Sequence, residues 1–537
     1  MGFGTLTIAS VKSTRWFVLI ILIAVLPWLN PFAPGPSPTV MPWLISVFAG
    51  LSLLVLGSLR AFANPTTDAT SFPLHWAAPI AGGWLLAGLL SSVLALLQYF
   101  DVEAPFAPWI NSTEPGYAFA NLRQRNQFAT LTNMALAVML AWVIQRGAAK
   151  VNGQVTVAVL AAASLLAVGN AASASRTGAV QIVLLCFLFG LWGGWRQLGV
   201  RLILATTVAA YVAAGFVLPY ASGFDGPAQS LLARLQAGDE LCASRITLWS
   251  NVMHLIAQKP WLGWGWGELD YAHFMTLYEG PRFCDILDNA HNLPLHLAVE
   301  LGVPAALAIC GGFAWWVLRQ KPWLESDESR QMAWAVIALI LLHSMLEYPL
   351  WYGPFQIAFV LCLIILNSKP EEIEGTDYSP KFASNMPLAG VNNAQPAINI
   401  IATSVVLSAT IYAAWDYHRI SQIYLQPESR HAAYQDNTLA QARKSWLFAD
   451  QALFAELMLT PLAPENAEWV HTSATNLLHY SPEPRVVQKL IESAVMLGKD
   501  AEALWFLVRF KAAFPKEHAA WAKANSAPLP VMPIAPL

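Results

Sequence analysis

The segment DNAHN, from Asp288 to Asn292, places a histidine next to side-chain amides at the point where an apolar helix is predicted to begin. Histidine titrates near neutral pH, so His291 is a candidate general base. Asn292 also has a purely structural explanation, because asparagine is a common N-cap residue. A metal site is not indicated, since His291 and His296 are five residues apart and no cysteine or carboxylate cluster completes a ligand set. The sequence also lacks the G-x-S-x-G context of a serine nucleophile.

Arginines stand at the predicted starts of several helices. Arg176 lies in SASRTG, Arg245 is the second residue of SRITLW, and NLRQRNQFA contains both Arg123 and Arg125. A cation at a helix N-terminus opposes the helix macrodipole, so these arginines need another explanation. A bound anion is one, because arginine binds phosphate with a planar, permanently charged fork. Interfacial arginines whose heads reach the membrane surface are the structural alternative.

Further ionisable groups fall within or near apolar segments. Glu300 follows His291 on the same predicted helix, and the segment HSMLEYPLWYGPF contains His343 and Glu347. Such groups are rare in membranes, where they are usually functional or paired. A hydrogen bond from Glu300 to a neighbouring helix and a buried, satisfied His343 remain open as structural alternatives.

These residues must be positioned by membrane helices. Soluble domains contain about 25% charged residues, whereas this chain of 537 residues is 12% charged and 56% hydrophobic, with a mean hydropathy of +0.47. The predicted fold class is therefore all-α, a polytopic bundle of about 11–12 transmembrane helices with a large periplasmic loop and a small soluble helical domain. The net charge of −3 carries little information in such a protein, and no nucleic-acid partner is expected.

Eleven stretches have, or nearly have, the length of about 20 apolar residues that a membrane span requires. They are 16–30, 41–59, 77–100, 126–146, 154–170, 178–195, 200–219, 293–318, 331–347, 351–367 and 398–416. The first is predicted to be retained, because it lacks a small-residue cleavage site. With the N-terminus in the cytoplasm, Lys259 is the one lysine of the outer loops, as the positive-inside rule favours.

This topology predicts four regions. Transmembrane helices occupy 1–219 and 293–416, with a cytoplasmic linker at 370–397, and the large periplasmic loop spans 220–292. Residues 417–537 are soluble in composition and periplasmic by the same count. The run VVQKLIESAVMLGKDAEALWFLVRFKAAFP predicts a helix, a glycine turn, a second helix and a proline stop, a hairpin of the tetratricopeptide kind. The proline-rich tail APLPVMPIAPL is predicted to be disordered.

The large loop has further features. Residues 244–258 predict an amphipathic helix whose apolar positions are Ile246, Trp249, Met253 and Ile256. Cys242 and Cys284 both fall in this loop, and an oxidising periplasm permits a disulfide between them, although their spacing does not decide it.

Five motifs, in order, resemble those of the bacterial O-oligosaccharyltransferases, or protein glycosylation ligases, of the superfamily that also contains O-antigen ligases and polymerases. They are NLRQRNQFA, SASRTG, SRITLW followed by KPWLGWGWGE, DNAHN followed by VELG, and HSMLEYPLWYGPF. The resemblance covers roughly residues 16–367. It implies a multi-pass protein of the bacterial inner membrane, surrounded by membrane lipids, with its active site facing the periplasm.

The resemblance also implies a reaction and roles for residues. Glycan moves from an undecaprenyl-pyrophosphate carrier to a Ser or Thr hydroxyl of a pilin or another secreted protein, without metal or cofactor. His291 matches the family's loop histidine, which takes the proton of the acceptor, and Arg176 and Arg245 match positions that hold the pyrophosphate. The motif that begins the fourth span contributes further candidate substrate-binding residues: Arg123, Arg125, Asn126 and Gln127. The supporting residues are expected to be Asp288, Asn292, Glu300, Glu347 and Tyr348.

The expected mechanism is one displacement at the anomeric carbon, with inversion. It differs from glycoside hydrolysis, which uses paired carboxylates that are not evident here. An O-antigen ligase that transfers glycan to lipid A core, or an O-antigen polymerase, needs the same donor site and stays open as an alternative. A transporter of lipid-linked sugar is the remote alternative, and the internal repeats typical of transporters are not evident in the sequence.

Overall fold

The computed structural model describes residues 8–33, 35–63, 76–146, 153–221, 241–368 and 394–525. Within these ranges the secondary structure consists of α-helices and 3₁₀ turns, with no β-strand. The predicted all-α fold is confirmed. Most of the predicted cytoplasmic linker, residues 370–393, and the predicted disordered tail lie outside the described residues.

The α-helices of the described ranges are numbered in chain order. Those before the C-terminal region are α1 (Ile8–Leu29), α2 (Val40–Ala63), α3 (Ala77–Tyr99), α4 (Arg125–Arg146), α5 (Gly153–Ala172), α6 (Arg176–Leu191), α7 (Leu198–Ala221), α8 (Arg245–Gln258), α9 (Leu269–Met275), α10 (Leu293–Leu301), α11 (Val303–Gln320), α12 (Glu328–Ser344), α13 (Gly353–Asn367) and α14 (Ala394–Ser421). The C-terminal region adds α15 (Ala432–Gln435), α16 (Thr438–Ala442), α17 (Ala449–Leu459), α18 (Ala467–Leu477), α19 (Pro484–Met496), α20 (Asp500–Ala513) and α21 (Pro515–Asn525).

Contacts divide the chain into two compact units. The first comprises Met1–Ala237 and Val317–Ala414, and the second comprises Gly238–Trp316 and Trp415–Leu537. The large loop and the C-terminal helices, far apart in the sequence, therefore belong to the same unit.

The first unit is built from apolar helices. By length and composition, five helices of the described chain are able to cross a membrane, namely α2, α3, α4, α5 and α7. Shorter apolar helices are found in α1, α6 and α13. The protein is therefore embedded in a membrane. Helix α4 lies at the centre of this unit, packed against α3, α5, α6 and α12, and most of its side chains are buried.

The prediction of one continuous helix at 293–318 was wrong, because the chain breaks at Gly302 between α10 and α11. Gly302 has a φ of +88°, and a Cβ atom there would collide with the carbonyl oxygen of Trp261. The turn before α9 lies against this break: Val303 N–H donates to Pro260 (2.8 Å) and Trp264 N–H donates to Val299 (2.9 Å). Helix α10 has 9 residues, about 14 Å of helix, and belongs to the core of the loop.

The predicted amphipathic helix at 244–258 is confirmed as α8. Of its predicted apolar positions, Ile246 and Met253 are 82% and 55% exposed. A second apolar face, formed by Leu248, Val252 and Leu255, packs into the loop core.

The helical hairpin predicted near the C-terminus is confirmed as α19 and α20, which are joined through Gly498 with a φ of +71°. The predicted proline stop is confirmed, because α20 ends at Ala513 and Pro515 begins α21. Proline suits a first helical position, where its missing N–H would have no partner within the helix.

Helix α9 joins the loop to the C-terminal helices. Its residues Leu269 and Ala272 belong to the loop core, whereas Phe274 is buried in the C-terminal core. Polar contacts add to the joint: Arg509 Nε donates to the carbonyl of Met275 (2.9 Å). The Nδ1 atom of His479 lies 2.7 Å from a carboxylate oxygen of Glu268. The loop is therefore supported by the C-terminal helices through one short helix.

We predict that Phe274→Ala lowers the free energy of unfolding of the second unit by about 3–5 kcal/mol, the usual cost of emptying a buried aromatic site. Denaturant unfolding in detergent measures it. Leu277→Ala is the matched control, because Leu277 follows the same helix and is 45% exposed. Equal losses of stability in the two variants would contradict the shared core.

Candidate active site

His291 has a backbone conformation that is uncommon for a residue with a side chain. Its φ is +51°, in the left-handed region. The side-chain oxygen of Asn289 accepts a hydrogen bond from the His291 N–H (2.9 Å), and Asn289 is buried. Such a conformation costs about 1–3 kcal/mol and persists only where the surroundings impose it.

The residues on either side of His291 are also fixed. The indole Nε1 of Trp249, on α8, donates to the carbonyl of Ala290 (3.1 Å). Asn292 is the N-cap of α10, and its side chain accepts from Leu295 N–H (3.2 Å). His291 itself is partly buried. The imidazole is thus carried by a segment that α8 and α10 hold in one conformation, as a preorganised base requires.

Arg245 and Glu300 belong to the same unit as His291. Arg245 is the first residue of α8, behind the N-cap Ser244, and α8 packs against α10. Glu300 lies near the end of α10, buried, with its carboxylate 3.4 Å from Nε2 of His296. A disulfide joins Cys242, just before α8, to Cys284, with Cα atoms 5.2 Å apart.

Asp288 lies close to a second acidic side chain, Asp270. Burial, and after it the negative charges of Asp288 and Glu268, raise the pKa of Asp270 to about 7, against the opposing effect of the Tyr271 N–H that is bound to its carboxylate. Asp288 therefore contributes negative charge beside the loop core.

The first unit holds the other predicted arginines. Arg176 is the first residue of α6, behind the N-cap Ser175. The hydroxyl of Ser175 donates to Oδ1 of Asn126 (2.6 Å), and Nδ2 of Asn126 donates to Glu347 (3.3 Å). Asn126 and Glu347 thus fix the turn that precedes Arg176. The side-chain oxygen and the side-chain nitrogen of Asn126 each form one of these two hydrogen bonds.

The remaining predicted residues of this unit have different surroundings. The Arg123 guanidinium donates to the carbonyl of Pro31 and to Asn111. Some of its N–H donors therefore already have acceptors within the protein. Arg125 stacks on the ring of Tyr117, 5.1 Å from its centroid. The side-chain oxygen of Gln127 is buried without a hydrogen-bond partner among the described residues.

Tyr348 precedes a 3₁₀ turn, Pro349–Trp351, in the segment that follows α12. Within the part of the chain that the structure describes, no group of three or more His, Cys, Asp or Glu side chains is arranged to hold a metal ion.

Three family models match parts of the chain. A protein glycosylation ligase model matches residues 118–143, an O-antigen ligase model matches 160–310, and the C-terminal model of a virulence factor membrane-bound polymerase matches 331–527. Each model covers less than half of the chain, and the matches make the chain similar to proteins of the O-antigen ligase superfamily. The match at 118–143 contains the NLRQRNQFA motif and confirms the resemblance to protein glycosylation ligases.

Two relatives come from Acinetobacter baylyi. The chain is 24% identical to a general O-oligosaccharyltransferase over 412 residues, which cover 65% of this chain and 70% of the relative. It is 23% identical to a ComP-specific O-oligosaccharyltransferase over 281 residues, covering 52% of this chain and 49% of that protein. The chain thus spans about half the length of the second relative.

The predicted site residues fall into two groups, one in each unit. The second unit holds Arg245, Asp288, His291, Asn292 and Glu300, and the first holds Arg123, Arg125, Asn126, Gln127, Arg176, Glu347 and Tyr348.

Sequence reasoning missed the residues that hold these groups in place. The hydrogen bonds of Asn289 and Trp249 to the His291 segment were not predicted, although Asn289 lies within the DNAHN motif and Trp249 was expected as an apolar position of α8. In the first unit the buried Gln98 was also missed. Its amide donates to the carbonyls of Asn111 and Ala120 and accepts from Phe119 and Ala120 N–H groups, which shapes the loop before α4.

We predict that Asn289→Ala accelerates deuterium exchange at the His291 amide by about tenfold or more, because that N–H loses a partner worth about 1–3 kcal/mol. Mass spectrometry of the peptide containing residues 288–292 measures the rate. Asn289→Asp retains an acceptor oxygen and is expected to exchange like the wild type. Unchanged exchange in the alanine variant would show that Asn289 does not hold the segment.

A second prediction concerns pH. The pKa of Asp270 is higher in the folded protein than its usual value of 3.8, so the stability that its protonated form contributes is complete below about pH 4 and is lost as the pH rises towards 7. Asp270→Asn should therefore raise the thermal midpoint at pH 8 and change it little near pH 4. The asparagine retains the oxygen that accepts from Tyr271. A lower midpoint at pH 8 would refute this.

Proposed function

We propose that this protein transfers an oligosaccharide en bloc from an undecaprenyl-pyrophosphate carrier to Ser or Thr hydroxyls of periplasmic proteins. The observation that carries the proposal is His291, fixed in a left-handed conformation at the start of α10, within the range that matches O-antigen ligases. The names of both relatives, which are O-oligosaccharyltransferases, support a protein acceptor.

In the proposed reaction, His291 takes the proton of the acceptor hydroxyl as its oxygen attacks the anomeric carbon. The bond from that carbon to the pyrophosphate oxygen breaks, and its electron pair leaves on the pyrophosphate. Arg245 and Arg176 neutralise the departing charge, roles that the resemblance implies, and each is the first residue of a capped helix. One displacement inverts the anomeric carbon, and neither metal nor cofactor takes part.

We place this chemistry on the periplasmic face of the bacterial inner membrane. The lysine distribution of the loops supports this orientation. The Cys242–Cys284 disulfide in the large loop also supports it, because disulfides persist in oxidising compartments. Pilins are one class of acceptor that such a site would serve.

Transfer to another acceptor is the second candidate. The match of residues 160–310 to O-antigen ligases favours a lipid A core acceptor, and the match of 331–527 to a membrane-bound polymerase favours a growing glycan. Both would use the same donor chemistry, so only the acceptor distinguishes them.

We predict that expression in a bacterium that supplies undecaprenyl-linked glycan and lacks its own ligase will add one glycan mass to a co-expressed pilin-like acceptor. His291→Asn should reduce this transfer by at least about 10²-fold, the contribution of a general base. Asparagine tolerates the left-handed conformation. His254→Asn is the control, because His254 is an exposed histidine of the same unit.

Intact mass spectrometry of the acceptor measures the outcome. If His291→Asn transfers glycan at the wild-type level, the assignment of His291 as the base is contradicted. Glycan on lipid A core with an unmodified protein acceptor would move the chain to the second candidate.

A further inference from the structure

The first unit contains an apolar cleft that takes no part in the proposed reaction. Its volume is about 560 Å³. Positions 77–85 of α3, 138–146 of α4 and 155–162 of α5 line it, and these three helices pack against one another. On each helix the lining residues recur at helical spacing, which places them on one face. The cleft is therefore a gap among three helix faces.

Small side chains keep this gap open. Ala77, Ala81 and Gly82 line it from α3, and Ala158 and Ala162 line it from α5. Packed protein interiors leave few voids larger than a water molecule, so a gap of this size needs an occupant. Ala158 is exposed, and α5 is apolar and long enough to cross a membrane. In an embedded protein such a surface meets lipid chains, and an apolar chain is the occupant that the lining favours.

The depth of the cleft matches one leaflet of a bilayer. Its lining on α4 extends over positions 138–146, about 12 Å of helix. The hydrocarbon core of a bilayer is about 30 Å thick, so one leaflet supplies about 15 Å. The cleft thus has the depth of a single layer of acyl chains, at the end of α4 where Arg146 lies.

Two opposite charges line this end of the cleft. Arg146 is the last residue of α4, and Glu328 is the first residue of α12. Towards the other end of this helix pair, Oγ1 of Thr130 lies 3.0 Å from Nδ1 of His343. Helices α4 and α12 therefore run antiparallel, which brings Arg146 and Glu328 to the same end.

Both charges are available to a ligand. The Arg146 guanidinium is exposed and lies over the Trp142 ring, 4.5 Å from its centroid. Nearby, Glu325 pairs with Arg330 (2.7 Å), whereas among the described residues neither Arg146 nor Glu328 belongs to an ion pair. The helix macrodipole favours a cation at the end of α4 and an acid at the start of α12. It does not explain the apolar cleft beside them.

We propose that this cleft binds a phospholipid whose headgroup carries both a phosphate and a primary ammonium, as phosphatidylethanolamine does. An acyl chain fills the gap among α3, α4 and α5. The Arg146 guanidinium donates to the phosphate oxygens, and the ammonium donates to the Glu328 carboxylate. Charge complementarity thus favours this headgroup over one that offers a phosphate without an ammonium, because Glu328 then faces no cation of the lipid.

This lipid is distinct from the carrier of the proposed reaction. The candidate pyrophosphate residue Arg176 follows the turn that Asn126 holds, and Asn126 lies at the start of α4. Arg146 lies 20 positions further along the same helix, about 30 Å away. The headgroup in the cleft and the pyrophosphate of the carrier therefore lie at opposite ends of α4. The inference does not depend on the proposed function.

Native mass spectrometry of the detergent-purified protein tests the cleft. After removal of bound lipid by detergent exchange, the wild type is titrated with palmitoyl-oleoyl phosphatidylethanolamine and is expected to retain one copy. Ala158→Phe fills the cleft and should lower the affinity at least about tenfold, because the ring occupies the volume of the acyl chain. Ala161→Phe is the matched control, since Ala161 is an exposed alanine of the same helix that does not line the cleft.

Two further variants test the headgroup. Arg146→Gln should weaken binding about fivefold, the contribution of one basic side chain to an anionic lipid group. The wild type should prefer phosphatidylethanolamine to phosphatidylglycerol by about threefold, as for a partly exposed ion pair, and Glu328→Gln should abolish the preference. Arg201→Gln is the control for charge, because Arg201 is exposed on α7 and does not line the cleft.

Equal affinities of Ala158→Phe and Ala161→Phe for phosphatidylethanolamine would overturn the proposal, and so would equal affinities of the wild type for the two phospholipids. A polyprenyl phosphate that co-purifies with the wild type and not with Ala158→Phe would also overturn it, and would assign the cleft to the chain of the carrier. If Ala158→Phe does not fold, the comparison of Arg146→Gln with Arg201→Gln decides, because both arginines are exposed.

Discussion

The close approach of two backbone segments in the second unit is the constraint on which the candidate base depends. Gly263 and Gly302 each lie very close to a carbonyl group of the facing segment. A Cβ atom at either glycine would collide with the backbone of that segment. Hydrogen bonds from Trp264 and Gly265 N–H groups to Val299 and Glu300 carbonyls hold the two segments together. The contact breaks an otherwise continuous apolar run and leaves α10 in the loop core. The start of α10 is then fixed, and with it the backbone of His291.

The same constraint explains why the second unit joins distant parts of the sequence. A loop that must hold one histidine in an unfavourable conformation needs a core of its own, and α8, α9 and α10 supply it. Phe274 extends that core into the C-terminal helices, so these helices support the loop from the side of α9. In the first unit, a chain of hydrogen bonds through Asn126 performs the corresponding task for the turn before Arg176. Both groups of candidate residues are therefore held by buried amides and packed helices.

Much of this arrangement was accessible from sequence, for physical reasons. Apolar stretches predict membrane helices because lipid leaves the backbone no other spanning structure than helices or closed barrels, and Asn292 predicts the start of α10 because asparagine caps helices. The break at Gly302 was not predicted, because residues that pack into a loop core are as apolar as residues that face lipid. Helix α8 has apolar residues on two sides, since Ile246 and Met253 are exposed whereas Leu248 and Val252 are buried, and periodicity alone does not tell which side packs into the core. The role of Asn289 depends on the left-handed backbone conformation of His291. Residue type predicts that conformation reliably only for glycine, so the role of Asn289 was not predicted.

The proposed reaction depends on the imidazole of His291 acting as the base in glycan transfer. The most direct measurement is the transfer rate of purified His291→Gly with and without added imidazole, because glycine accepts the positive φ of this position without strain. We predict no transfer without imidazole, and a rate that rises with the concentration of neutral imidazole. Transfer by the glycine variant at the wild-type rate, without imidazole, would contradict the claim.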